Sequence, residues 1–96
     1  MRPLQARMEF TGFINNMKMF RNADDTIMTG FSGGVRLEEK VSVVRARLED
    51  EFMNSLGKGQ LAQVEALKSI DAQIGNMLAY KAGKFNQAEI DAYVAR

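Results

Sequence analysis

The chain contains no cysteine, no histidine and no tryptophan in 96 residues, and a single proline. Without cysteine there is no disulfide framework and no thiolate metal site, and the redox compartment is left undecided. The lack of histidine excludes more. It removes the commonest general base and metal ligand, so hydrolases built on a histidine base are ruled out. Charge of one sign is also missing: 13 Lys and Arg stand against 12 Asp and Glu, a net charge of +1. No global field therefore draws the protein toward nucleic acid or an anionic membrane. No apolar run approaches the roughly 18 residues of a membrane span. Asn15, Asn16 and Lys18 interrupt any signal-peptide apolar region behind Arg2 and Arg7. The expectation is a soluble chain, cytoplasmic or part of a macromolecular assembly, with no signal peptide or transmembrane segment.

What is present is an ordinary globular balance, 46% apolar and 26% charged. It suits one small domain over residues 1–96 with one modest core. The strongest pattern is a pair of apolar stripes. Leu37, Val41, Val44, Leu48, Phe52 and Leu56 are spaced 4, 3, 4, 4 and 4 residues apart, which predicts a helix over about 35–56. A strict heptad would place Glu51 and Ser55 on the seam, so a long coiled coil is not expected. Glu38 and Glu39 fall in the first turn of this helix, where they complement its dipole, and Gly57 stands where a left-handed residue would end it. Val64, Leu67, Ile70, Ile74, Met77 and Leu78 predict a second helix over about 60–82, stopped by Gly83. With only Gly57-Lys58-Gly59 between them, two helices of about 30 Å each (at 1.5 Å per residue) pack antiparallel. Phe85, Asn86, Glu89 and Ile90 fit a hydrophobic staple and capping box, predicting a short helix over 87–95.

Residues 1–34 are less regular. Phe10, Phe13, Ile14, Met17 and Phe20 follow helical spacing, and Pro3 suits a first turn. Met8, Phe10 and Gly12 alternate like a strand, and Asn15-Asn16 could turn a β-hairpin. Helix is favoured over β-hairpin here. Thr26-Ile27-Met28-Thr29 prefers an extended backbone, and Gly30, Ser32, Gly33 and Gly34 read as a linker. The fold class expected is all-α.

Sites of chemistry are weak. Gly30-Phe31-Ser32-Gly33-Gly34 matches Gly-x-Ser-x-Gly, but that nucleophile needs a histidine. The same glycines before a helix could form an anion nest, yet the lysine of a phosphate loop is missing, and a flexible linker is the better reading. The acidic clusters Asp24-Asp25, Glu38-Glu39 and Glu49-Asp50-Glu51 lack convergent metal spacing, and they sit among Arg36, Lys40, Arg45 and Arg47 as a solvated face. No catalytic residue, cofactor site or metal site is assigned. Arg2, Arg7, Lys18 and Arg21 among Phe rings are too sparse to argue for nucleic acid.

The most suggestive feature is a skew. Five of the seven Met and four of the six Phe lie before residue 32. Thioethers and Phe rings suit a surface that packs on a partner, or a third layer over the helical pair. The partner-binding candidates are Met8, Phe10, Phe13, Ile14, Met17, Met19, Phe20, Met28 and Phe31. Val43, Ala46 and Met53 add a strip on the far side of the 35–56 helix. The function expected is a non-enzymatic protein–protein interaction or assembly subunit, self-associating or docking on a larger complex such as a phage particle or secretion machine. A small nucleic-acid-binding regulator and an inhibitor of a larger target are the alternatives.

Overall fold

A computed structural model describes residues 2–32 and 35–83. The elements run α1 (Pro3–Lys18), β1 (Thr26–Ser32), β2 (Val35–Lys40), α2 (Val41–Leu56) and α3 (Gln60–Lys81). The predicted helix over 87–95 lies outside the described residues.

Pro3 opens α1 at a position whose N–H has no intrahelical acceptor to lose. Its buried face carries Ala6, Ile14 and Met17, with Phe10 and Phe13 packed against the same core. After Lys18 the chain turns through residues 21–25. The Asn22 N–H donates to Thr26 O (2.7 Å), and the Asp25 N–H donates to Asn22 O (3.0 Å). Asp24 Oδ1 accepts from the Thr26 hydroxyl at 2.6 Å. Asp25 closes the turn at φ +63°, a left-handed conformation that costs a residue bearing a Cβ.

The all-α class is overturned by the next segment, where β1 and β2 form an antiparallel two-stranded sheet. Residues 35–40 are a strand instead of the first turns of a helix. Leu37, counted into the helical stripe, is 40% exposed. Glu38 and Glu39 therefore lie on β2, and the first turn of α2 carries no acidic residue. In place of the linker expected there, Ser32 pairs with Val35, so β1 and β2 are separated in sequence by two residues, Gly33 and Gly34, which lie outside the described residues. A Gly-Gly pair between extended runs is itself a hairpin signal. Competing with it was the four-residue step from Leu37 to Val41, which imitates a helical turn. A bulge at Thr29 shifts the register between Met28 and Gly30, and Gly30 adopts φ +153° there, a conformation L side chains rarely reach. Ile27 and Met28 are both buried although neighbours in a strand point to opposite faces, so β1 is covered on both sides at that point.

The sheet hands over to α2 at Val41, whose N–H donates to Asp25 O at 3.0 Å. Val41, Val44, Leu48, Phe52 and Ser55 form the buried face. Ser55 tolerates burial because its hydroxyl donates to Phe52 O (2.6 Å). Gly57 is right-handed; the left-handed residue of the connection is Gly59, at φ +94°. Returning along the hairpin, α3 buries Gln63, Ala66, Leu67, Ile70, Ile74 and Met77. Val64 is only half-buried and Leu78 is exposed, so two residues of the predicted stripe stand at its margin. α3 packs on α1, α2 and β1, while α1 and α2 touch each other little. Their main bridge is Phe10 stacked on Phe52, with ring centroids 4.6 Å apart and planes 3° from parallel.

Removal of the Phe52 ring opens a cavity between three helices. Phe52→Ala is expected to lower unfolding free energy by about 3–5 kcal/mol, read from urea denaturation midpoints. Asp25→Gly relieves the left-handed strain and is expected to stabilise by up to about 1 kcal/mol. The Arg21–Asp25 ion pair it removes is exposed on both sides and contributes little. No rise in thermal midpoint would show that the turn holds Asp25 without strain.

Candidate partner-binding surface

The structure divides the sequence candidates into two groups. Ile14, Met17 and Met28 are buried in the chain's own core, and Phe10, Phe13 and Phe20 pack against it half-buried. These six form the third layer over the helical pair. Phe31 lies in β1, and its side chain is outside the described residues. Met8, Met19, Val43 and Met53 are exposed, as is Ala46. Sequence reasoning missed Leu4, Val35, Leu37, Leu61 and Leu78, which are exposed as well. Leu4 was legible as the residue four before Met8, and Val35 and Leu37 as an alternating pair.

Leu4, Met8 and Met19 line one side of α1 at 71%, 67% and 77% exposure. Between Met8 and Met19 the helix presents Thr11, Gly12 and Asn15, which with Arg7 and Met8 line a shallow depression. A Cβ at Gly12 would meet nothing within 4 Å, so the floor of this depression is open backbone. The Thr11 hydroxyl donates to Arg7 O (2.9 Å) and is satisfied within the helix. α1 thus has a buried apolar side and an outer side that carries Leu4 and Met8 near its start and Met19 at its C-cap, with Thr11, Gly12 and Asn15 between.

Along the seam between α1 and α2 runs a groove made of two depressions that share Arg45 and Glu49. Arg7, Lys18, Arg21 and Arg45 line it, against Asp25 and Glu49. Ion pairs Arg21–Asp25 (3.6 Å) and Arg45–Glu49 (3.8 Å) engage both acids. Met53 stands at one end of the groove beside Phe10 and Phe52. The field there is mildly positive, and both pairs lie within one segment, are exposed and are weak.

The hairpin is anchored by Glu39. Its carboxylate accepts from Arg47 at two points, Nη1 to Oε1 at 2.8 Å and Nη2 to Oε2 at 3.1 Å, and from the Thr29 hydroxyl. One side chain on β2 thereby ties β1 to α2. Those hydrogen bonds, from Arg47 first and Thr29 second, hold Glu39 below the ordinary glutamate value of 4.5. Asp24 is lowered too, chiefly by the Thr26 hydroxyl.

The Gly-x-Ser-x-Gly stretch and the disfavoured anion nest lose their context, because the element that follows is β2 instead of a helix. Among the described residues, no group of three or more Asp or Glu side chains is placed to hold a metal ion. No helix among them is long and apolar enough to cross a membrane. Comparison of the chain with protein-family models, curated proteins and solved structures finds no match.

A glutamate whose folded value is depressed stabilises the fold above its unfolded value, and that contribution disappears as pH falls through the folded value. Glu39→Gln is therefore expected to be less stable than the wild type at neutral pH. Because Arg47 is half-exposed, the deficit should be about 1 kcal/mol or less. It should shrink as pH falls below the ordinary glutamate value of 4.5. A deficit independent of pH would mean that the carboxylate charge is not what ties β2 to α2. Any slope left in the variant over this range is expected from Asp24.

Proposed function

We propose that this protein is a non-enzymatic interaction module that works by docking the outer face of α1 onto a protein partner, either a second copy or a component of a larger complex. The single observation that carries the reading is the exposed row Leu4, Met8 and Met19 on a helix whose opposite face is already buried. A surface helix needs one apolar face for its own core. A second one, with flexible thioethers around an open glycine backbone, is surface that a partner can cover and mould itself to.

The test lies in residues that the core does not use. Met8→Asp and Met19→Asp are expected to leave the circular dichroism spectrum and thermal midpoint within about 0.5 kcal/mol of wild type, as ordinary surface substitutions do. Each should abolish or weaken by about tenfold or more the complex seen by light scattering, or by pull-down from the native source. Met17→Asp serves as the contrast: Met17 is fully buried, so this change should unfold the protein and report nothing about partners. Retention of every complex by the doubly substituted chain would overturn the docking role of α1.

A further inference from the structure

Building on the reading of the chain as a contact module, we infer that β2 is a second contact surface, and that it pairs along its free edge with β2 of another copy. Two hairpins then join into one four-stranded antiparallel sheet. Among the described residues β2 is hydrogen-bonded only to β1, so its other edge presents unpaired backbone donors and acceptors. All its residues but Glu39 are exposed, including Val35 at 69% and Leu37 at 40%. Edges are normally shielded by proline, by charged side chains or by a covering element. β2 has no proline, and its exposed charges Arg36, Glu38 and Lys40 alternate in sign, so they oppose pairing in some registers and favour it in others.

The residues of β2 choose the partner. Side chains alternate, so Val35, Leu37 and Glu39 share one face, and Arg36, Glu38 and Lys40 the other. Antiparallel pairing of two identical strands about a two-fold axis admits few registers. With Leu37 opposite its own copy, Arg36 falls opposite the partner's Glu38, and the same pair recurs on the other side of the axis. Two leucines then meet at the centre between two opposite-charge pairs. With Glu38 opposite its own copy, Arg36 faces the partner's Lys40, and like charges oppose each other at three places. A slip of one residue turns the apolar face of one strand toward the charged face of the other. Among the registers that keep the Val35 and Leu37 faces together, the Leu37-centred one forms opposite-charge pairs without opposing like charges; it sets Val35 opposite the partner's Glu39, whose carboxylate Arg47 and Thr29 already hold. Arg36 and Glu38 are free for it, since neither forms an ion pair among the described residues.

Sedimentation of the full chain over a concentration series tests this. The expected result is a mass rising to twice that of the 10.8 kDa chain, with slowed amide exchange at alternate positions of residues 35–40. Arg36→Glu and Glu38→Arg each convert two attractive pairs into two repulsive ones, and each should weaken the dimer about tenfold or more. Both sites are exposed, and an unchanged circular dichroism spectrum confirms that the variants fold. Mixing the two variants should restore association, because the acids of one chain then face the bases of the other. The double variant Arg36→Glu/Glu38→Arg should associate as the wild type does. A chain that stays monomeric at every concentration, or a dimer indifferent to both charge reversals, overturns the pairing. A dimer that ignores the reversals but is lost in Met8→Asp overturns it while leaving the α1 contact standing. A dimer sensitive to the reversals and indifferent to Met8→Asp supports the β2 pairing and counts against α1 as the self-association face.

Discussion

The buried stripe of α3 has to be covered from more than one direction. Leu67, Ile70, Ile74 and Met77 are all within the core, and Ile70 is completely enclosed. A single antiparallel partner covers only one side of such a helix, so a two-helix hairpin of this length would leave apolar surface in water. α1 and β1 supply the remaining walls. Most of the Met and Phe skew of the N-terminal third follows from this requirement: Phe10, Phe13, Ile14, Met17 and Met28 are the material from which those walls are made. Hydrophobic burial supplies the drive.

Covering α3 with a strand and a helix from the same segment brings a second constraint. The chain must turn sharply between α1 and β1 and again between β2 and α2, and both places are held by polar contacts instead of apolar ones. Asn22 lies at the centre of the first: it bonds Thr26 and also accepts from Lys81 at the end of α3 (2.9 Å). Glu39 holds the second through Thr29 and Arg47. Lys40 and Val41 both donate to backbone oxygens of the turn at Asp24 and Asp25. These contacts are half-exposed and individually modest. Their effect is on direction, since they set the angle at which the hairpin leaves the helical core.

That angle leaves two kinds of exposed area. The hairpin meets the core through β1, leaving β2 exposed and, among the described residues, unpaired on its other edge. α1 meets the core through one face, leaving Leu4, Met8 and Met19 outside. The two areas differ in chemistry. The α1 row is apolar and adaptable, with no charge pattern to select a partner. β2 carries alternating charge around a leucine, the pattern on which the proposed pairing with a second copy rests. The two proposed contacts together describe a module that would build an assembly from repeated copies.

Helix α3, the start of α1 at Pro3 and the reversal at 57–59 were legible in the sequence because helical periodicity and glycine placement are local properties. The buried sides of Leu48, Phe52, Ile70 and Ile74 were legible for the same reason. The segment 35–40 was not. Val35, Leu37 and Val41 fit an alternating pattern and a helical one about equally well over so few residues, and local preference could not separate them. The separation came from β1: Ile27 joins the core cluster of the α3 residues, β1 packs on α3, and β2 is the strand that pairs with β1. Likewise, composition marked residues 8–31 as rich in side chains that bind something. Which of them bind the chain itself and which face outward depends on how α1 is rotated against α3, and that rotation is a property of the packed whole. The sequence by itself determined where helices could form and that no histidine or cysteine chemistry is available; the tertiary structure decided that Met17 is core, that Met8 is surface, and that six residues at the start of an apparent helix are an open strand edge.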